Sequence, residues 1–139
     1  MILIDTNVVS EPLRPAPAPR VIAWIDAQPL ETLYLSAITV AELRFSVASL
    51  RPGKRRKELH ESLERRVLPL FAGRVLAFDL PASQAYADLM AAAQAAGQPI
   101  GTADGYIAAI AASNGMSVAT RDATPFEAAG VRVINPWES

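Results

Sequence analysis

Residues 2–7 read Ile2-Leu3-Ile4-Asp5-Thr6-Asn7: an unbroken apolar run, one acid, then two residues suited to a turn or a helix start. An apolar run without alternation marks a strand covered on both faces, as in a parallel sheet with helices above and below it. The strand is read as Ile2 to Asp5, ending on a carboxylate. In open α/β sheets ligands collect outside the carboxyl ends of the strands, so an acid there bears on chemistry as well as on folding.

The remaining chain repeats the alternation. Leu33-Tyr34-Leu35-Ser36, Val75 to Phe78, Ser117 to Ala119 and Val131 to Ile134 read as four further strands. Helical spacing is read from Pro19 to Gln28, Thr39 to Ser49, Lys54 to Phe71, Pro81 to Ala96, Thr102 to Ser113 and Pro125 to Ala129. Leu43, Val47 and Leu50 form one core-facing stripe. Pro12, Pro15, Pro17 and Pro19 mark an early loop, and Gly97 and Gly130 stop two of the helices. Strand and helix in turn predict an α/β fold: one α/β/α sandwich around a five-stranded parallel sheet, as a single domain over residues 1–139. No internal repeat or long linker divides it.

Composition narrows the function. The chain is 51% hydrophobic, enough for a full core, and its net charge of −1 argues against a general polycation. With no cysteine, thiolate nucleophiles, disulfides and Cys-ligated zinc are excluded, and His60 stands alone. No segment reaches the roughly 18 apolar residues of a membrane span. The N-terminal sequence lacks a basic leader, so a cytoplasmic location without membrane contact is expected.

Four acids fall where the predicted sheet would gather them: Asp5, Glu42, Asp104 and Asp122. Each also has an ordinary structural reading. Asp5 suits an N-cap. Glu42 completes an S/T-x-x-E capping box with Thr39. Asp104 suits a helix dipole, although it shares a stripe with Ile107, Ala108 and Ala111, where an uncompensated carboxylate is costly. Asp122 suits a cap or a pair with Arg121. Asp26, Asp79 and Asp88 serve as controls, Asp79 being expected to leave an outer strand. Together the four acids, far apart in sequence, would repel one another unless a cation joined them. A metal-dependent hydrolase is the reading this constellation favours.

The same segments carry a family likeness. Leu3-Ile4-Asp5-Thr6-Asn7, Leu35 to Leu43 around Glu42, Asp104-Gly105-Tyr106-Ile107-Ala108-Ala109, Ala119-Thr120-Arg121-Asp122 and Asn135-Pro136-Trp137 follow one another in an order and spacing that resemble the PIN-domain ribonucleases. Within that family they are most similar to the VapC-like toxins of toxin–antitoxin pairs, nearest the FitB kind. Many members carry Asn at the position of Asp122 and an Asp directly before the Phe. Here Pro125 precedes Phe126, so the fourth acid is Asp122 itself.

The resemblance implies an endoribonuclease that uses Mg²⁺ or Mn²⁺ held by Asp5, Glu42, Asp104 and Asp122. Thr6, Asn7 and Thr120 would hold the carboxylates. It also implies RNA as substrate, a cognate antitoxin as partner, contact with DNA mainly through that antitoxin, and a homodimer. Two other readings stay open. A phosphorylated receiver domain shares the architecture but needs a Lys after the last strand, where Asn135-Pro136-Trp137 stands. A PIN-fold binding module would act mainly within a DNA-binding toxin–antitoxin complex, without significant catalysis. Finally, Arg51 to Arg66 has a local net charge of +4. It reads either as a solvated helix face with Glu–Arg pairs such as Glu61–Arg65 or as a phosphate-contacting strip.

Overall fold

Five strands, β1 (Ile2–Ile4), β2 (Leu33–Ser36), β3 (Val75–Leu76), β4 (Ser117–Ala119) and β5 (Val133–Ile134), pair in parallel throughout, in the spatial order β3-β2-β1-β4-β5. The computed structural model describes residues 1–138. The helices are α1 (Thr6–Ser10), α2 (Pro19–Ala27), α3 (Ala37–Ala48), α4 (Lys54–Glu61), α5 (Leu80–Ala95), α6 (Thr102–Ser113) and α7 (Ala123–Ala128). The chain builds outward from β1 through β2 to β3, then returns across β1 to lay down β4 and β5. The order therefore reverses between β1 and β4, and a crevice opens at such a point.

Alternation along the short strands feeds two apolar layers. Leu3 and Val118 pack with α5, α6 and α7, together with Ala82, Leu89, Ile107, Ile110 and Phe126. Ile4 and Ala119, one residue further on, pack with α1, α2 and α3, together with Val8, Val21, Leu33, Leu35 and Leu43. Fully burying one Leu or Ile side chain contributes about 1.5–3 kcal/mol, against about 1 kcal/mol net for a ladder hydrogen bond. In strands this short, register is held by packing. Helix α6 is buried almost all round, from Ile107 to Ala111, which leaves its first turn and its last two residues to meet solvent. Close approach of α5 depends on Gly105: a Cβ there would lie 2.6 Å from Met90 Sδ and 3.1 Å from Tyr86 Cε2.

Several boundaries differ from the sequence reading, each for a local reason. β1 stops at Ile4, because Asp5 turns to cap α1 while its N–H still bonds the Ala119 carbonyl at 2.9 Å. α3 starts at Ala37 instead of Thr39, because the Ser36 hydroxyl accepts from the Thr39 N–H at 3.0 Å. The predicted helix over residues 54–71 keeps its course but changes pitch, with a wide π-type turn over Ser62–Val67 and a tight turn over Leu68–Phe71. Pro69 has no N–H and its ring crowds the carbonyl four residues back, which a regular α-turn cannot absorb. β5 starts at Val133, since the Val131 N–H closes the end of α7 on the Phe126 carbonyl at 3.0 Å. β3 is an edge strand, as expected for the strand before Asp79. Among the described residues no helix is long and apolar enough to cross a membrane.

Candidate active site

Asp5 leaves β1 at the crevice beside β4. It is only 6% exposed. One oxygen caps α1 by accepting from the Thr6 N–H at 2.8 Å, and the other accepts from the Thr120 hydroxyl at 2.8 Å. The capping role is therefore real but occupies only half of the carboxylate. Thr120, just past β4 and wholly buried, uses its full capacity: it donates to Asp5, and it accepts from Asn7 Nδ2 at 3.3 Å and from the Asp122 N–H at 3.1 Å. Asn7 Oδ1 accepts in turn from the Arg121 N–H at 3.2 Å. These bonds lace the exits of β1 and β4 together.

Burial pushes the Asp5 carboxyl up from 3.8 to about 6. The bonds from Thr120 and Thr6 counter that rise, and the charges of Asp104 and Glu42 add to it. Thr120→Val keeps the shape and removes the donor. It is expected to destabilise the fold by about 1–3 kcal/mol and to move the Asp5 titration further upward. Carbon-detected NMR of the Asp5 carboxyl and urea unfolding check both, and Thr120→Ser, which keeps the hydroxyl, is expected to restore the wild-type values.

Glu42 lies half-buried in the second turn of α3. The capping-box reading is corrected here. Thr39 lies inside the helix with its N–H already taken by Ser36, and Glu42 Oε1 instead accepts from the Thr6 hydroxyl at 2.7 Å. Thr6 thus touches both acids, its N–H on Asp5 and its hydroxyl on Glu42. The Thr39 hydroxyl stands 3.2 Å from that of Thr6, a contact the sequence reading missed. The clue was Ser36, itself three residues before Thr39 at the end of a strand.

Asp104 sits half-buried in the first turn of α6, whose cap, Gly101, offers no side chain. Its carboxyl is pushed up by burial first, then by the charges of Asp122 and Glu42. Asp122 is exposed at the start of α7 and makes no capping bond. Nor does it pair with Arg121, whose guanidinium lies over the Trp137 ring, 5.1 Å from its centroid. The controls behave differently. Asp79 caps α5 through the Ala82 N–H at 3.0 Å, and Asp88 accepts from Gln84 Nε2 at 3.1 Å on an exposed face.

The fold thus brings Asp5, Glu42 and Asp104, from three separate segments, into electrostatic range of one another, and Asp122, from a fourth, into range of Asp104. Among the described residues none of the four makes an ion pair. No group of three or more of the described His, Asp and Glu side chains stands in a ready-made metal-binding arrangement. The acids are close enough to repel without being drawn onto one point. Oxygen donors of this kind suit a hard divalent cation, and Mg²⁺ commonly keeps several waters between itself and its protein ligands. In the basic stretch every glutamate is paired: Lys54–Glu58 at 3.8 Å, Arg65–Glu61 at 3.0 Å, and Glu64 with Arg44 by two bonds of 2.9 and 3.0 Å. That is the pairing expected of a solvated face.

A family model for the PIN domain matches residues 2–131, a span that holds all four acids. The chain belongs to the PIN-domain family. This PIN domain is 62% identical over 138 residues to "VapC ribonuclease Y4jK" of Sinorhizobium fredii, with 99% of each chain covered. It is 58% identical over 137 residues to "Toxin FitB" of Neisseria gonorrhoeae, again with 99% of each covered. Its fold superposes on a chain of the solved structure of FitAB bound to an IR36 DNA fragment with a TM-score of 0.96, at 57% identity, covering 99% of this chain and 96% of that one.

Proposed function

We propose that the protein is an endoribonuclease dependent on Mg²⁺ or Mn²⁺, and the toxin of a toxin–antitoxin pair. The observation that carries this reading is the gathering of four carboxylates at the β1–β4 crevice with no cation of the protein's own among them. Repulsion of this kind costs stability and is kept where a bound cation repays it. The names of the VapC ribonuclease and the FitB toxin, each covered almost end to end, support the same reaction and the same role.

Asp5, Asp104 and Asp122 would hold the ion, and Glu42 would orient the attacking water or hold a second ion. When bound, such an ion supplies Lewis-acid neutralisation of phosphate charge and eases the ionisation of water. The chain's own contribution is positioning. Thr120 and the Thr6 N–H fix the two oxygens of Asp5, and the Thr6 hydroxyl fixes Glu42. Bonds of this kind hold the carboxylates in orientation before substrate arrives. Glu42, acceptor-only when ionised, can then take the proton of a water aligned for in-line attack on phosphorus.

The rest of the reading is our inference from the family likeness. The chain forms one PIN domain over residues 1–139, acts in the cytoplasm as a homodimer, and is silenced by an antitoxin. The FitAB complex on DNA supports DNA contact made mainly through that antitoxin. The test is cleavage of a mixed RNA pool by purified protein. Cutting is expected with Mg²⁺ or Mn²⁺, to stop with a chelator, and to return when the ion is restored. Intact RNA at every metal concentration would favour the binding-module alternative.

A further inference from the structure

An acid cluster repels the polyanion it is meant to cut, so the strand needs a cation close to the cleft. The basic stretch spends its glutamates on local pairs and is not tied to the acids by any bond among the described residues. Arg121 is tied to them. Its N–H bonds Asn7, the next residue is Asp122, and the residue before it is Thr120, the partner of Asp5. Its side chain is exposed and makes no ion pair among the described residues, although a carboxylate adjoins it in sequence. Instead the guanidinium lies over the Trp137 ring. Trp137 is itself held in place: its side chain packs on the layer around Ile4 and Val8, its backbone carbonyl accepts from Arg20 Nη1 at 2.9 Å, and its backbone N–H donates to Asn135 Oδ1 at 2.9 Å.

A guanidinium held over a ring keeps N–H groups available, and a pair of them matches two oxygens of one phosphate. The ring also restricts the side chain before the ligand arrives, which reduces the ordering cost of binding. We propose that Arg121 binds a backbone phosphate of the RNA beside the cleavage point, and that Trp137 is the positioning residue that braces it. This rests on the ribonuclease reading above. Trp137 lies beyond the span that the family model matches, residues 2–131.

The test uses the full chain and a fluorescent single-stranded RNA, with binding measured in the Asp104→Asn background so that the RNA persists. Arg121→Gln is expected to weaken binding about fivefold and to lower the slope of log K against log salt by about 0.7, the share of one single-strand phosphate contact. In the cleaving protein the same change is expected in KM, with kcat altered by less than about twofold. Trp137→Leu is expected to lose part of the affinity and Trp137→Phe to keep it, with thermal melts identifying any variant that is merely unfolded. Arg121→Gln that binds with wild-type affinity and slope, in protein that cuts RNA, overturns this inference alone. Wild-type protein that neither binds nor cuts RNA overturns the ribonuclease reading and this inference with it.

Discussion

Asp104→Asn is expected to lower metal-dependent RNA cleavage by at least a factor of about 100 while leaving the chelated protein as stable as wild type, or more so. Asp104 makes no hydrogen bond or ion pair among the described residues that its loss would break. Its carboxyl is held up by burial and by two neighbouring acids, so the neutral amide of the same size relieves strain in the metal-free fold. A purely structural acid behaves in the opposite way. Asp79→Ala removes the cap of α5 and is expected to cost about 1 kcal/mol with cleavage per folded molecule unchanged. Single-turnover cleavage and thermal melts on both variants separate the two classes. Full cleavage by folded Asp104→Asn protein would remove that residue from the reaction.

Position after a strand does not by itself distinguish Asp5 from Asp79, and the sequence could go only so far in telling them apart. The run Ile2-Leu3-Ile4 and the strand–helix alternation were enough for the parallel sheet, because burial on both faces writes itself directly into composition. The bounds of α6 and β4 were legible for a similar reason: Asn114-Gly115 punctuates sharply between them. What the sequence left open was direction. Thr39 and Glu42 spell a capping box, and Ser36 spells a competing cap three residues earlier. The choice between them depends on Thr6, which is 36 residues from Glu42 and drawn in only by the β1–β2 register. Likewise Arg121 beside Asp122 reads as a pair, yet the ring that claims the guanidinium lies 16 residues on, past β5. Local motifs name what a residue can do, and tertiary contacts choose among the options.

Without divalent ions the protein is expected to be less stable at pH 7.5 than at pH 5, and Asp5→Asn is expected to remove most of that difference. The Asp5 carboxyl titrates near 3.8 when exposed and at about 6 in the fold. The native state therefore holds its proton over a range where the unfolded chain has released it, and stability falls as pH rises through that interval. The contribution is fully present below about pH 4 and gone above about pH 7. Over the whole interval a shift of this size corresponds to about 3 kcal/mol, of which about half is lost between pH 5 and pH 7.5. Asp104, shifted in the same direction, adds to the trend. Glu64, held low by Arg44, works against it, but that pair is on the surface and contributes little. Adding Mg²⁺ or Mn²⁺ is expected to restore stability at pH 7.5 in the wild type, because an ion that binds only the folded form shifts the equilibrium by mass action. In Asp5→Asn the metal-free stability is already high and the ion adds little. Urea unfolding at the two pH values, with chelator and with metal, reads all four states. If the wild type and Asp5→Asn show the same pH slope in chelator, burial of an uncompensated carboxylate is not what the cleft stores, and the case that a cation repays it loses its footing.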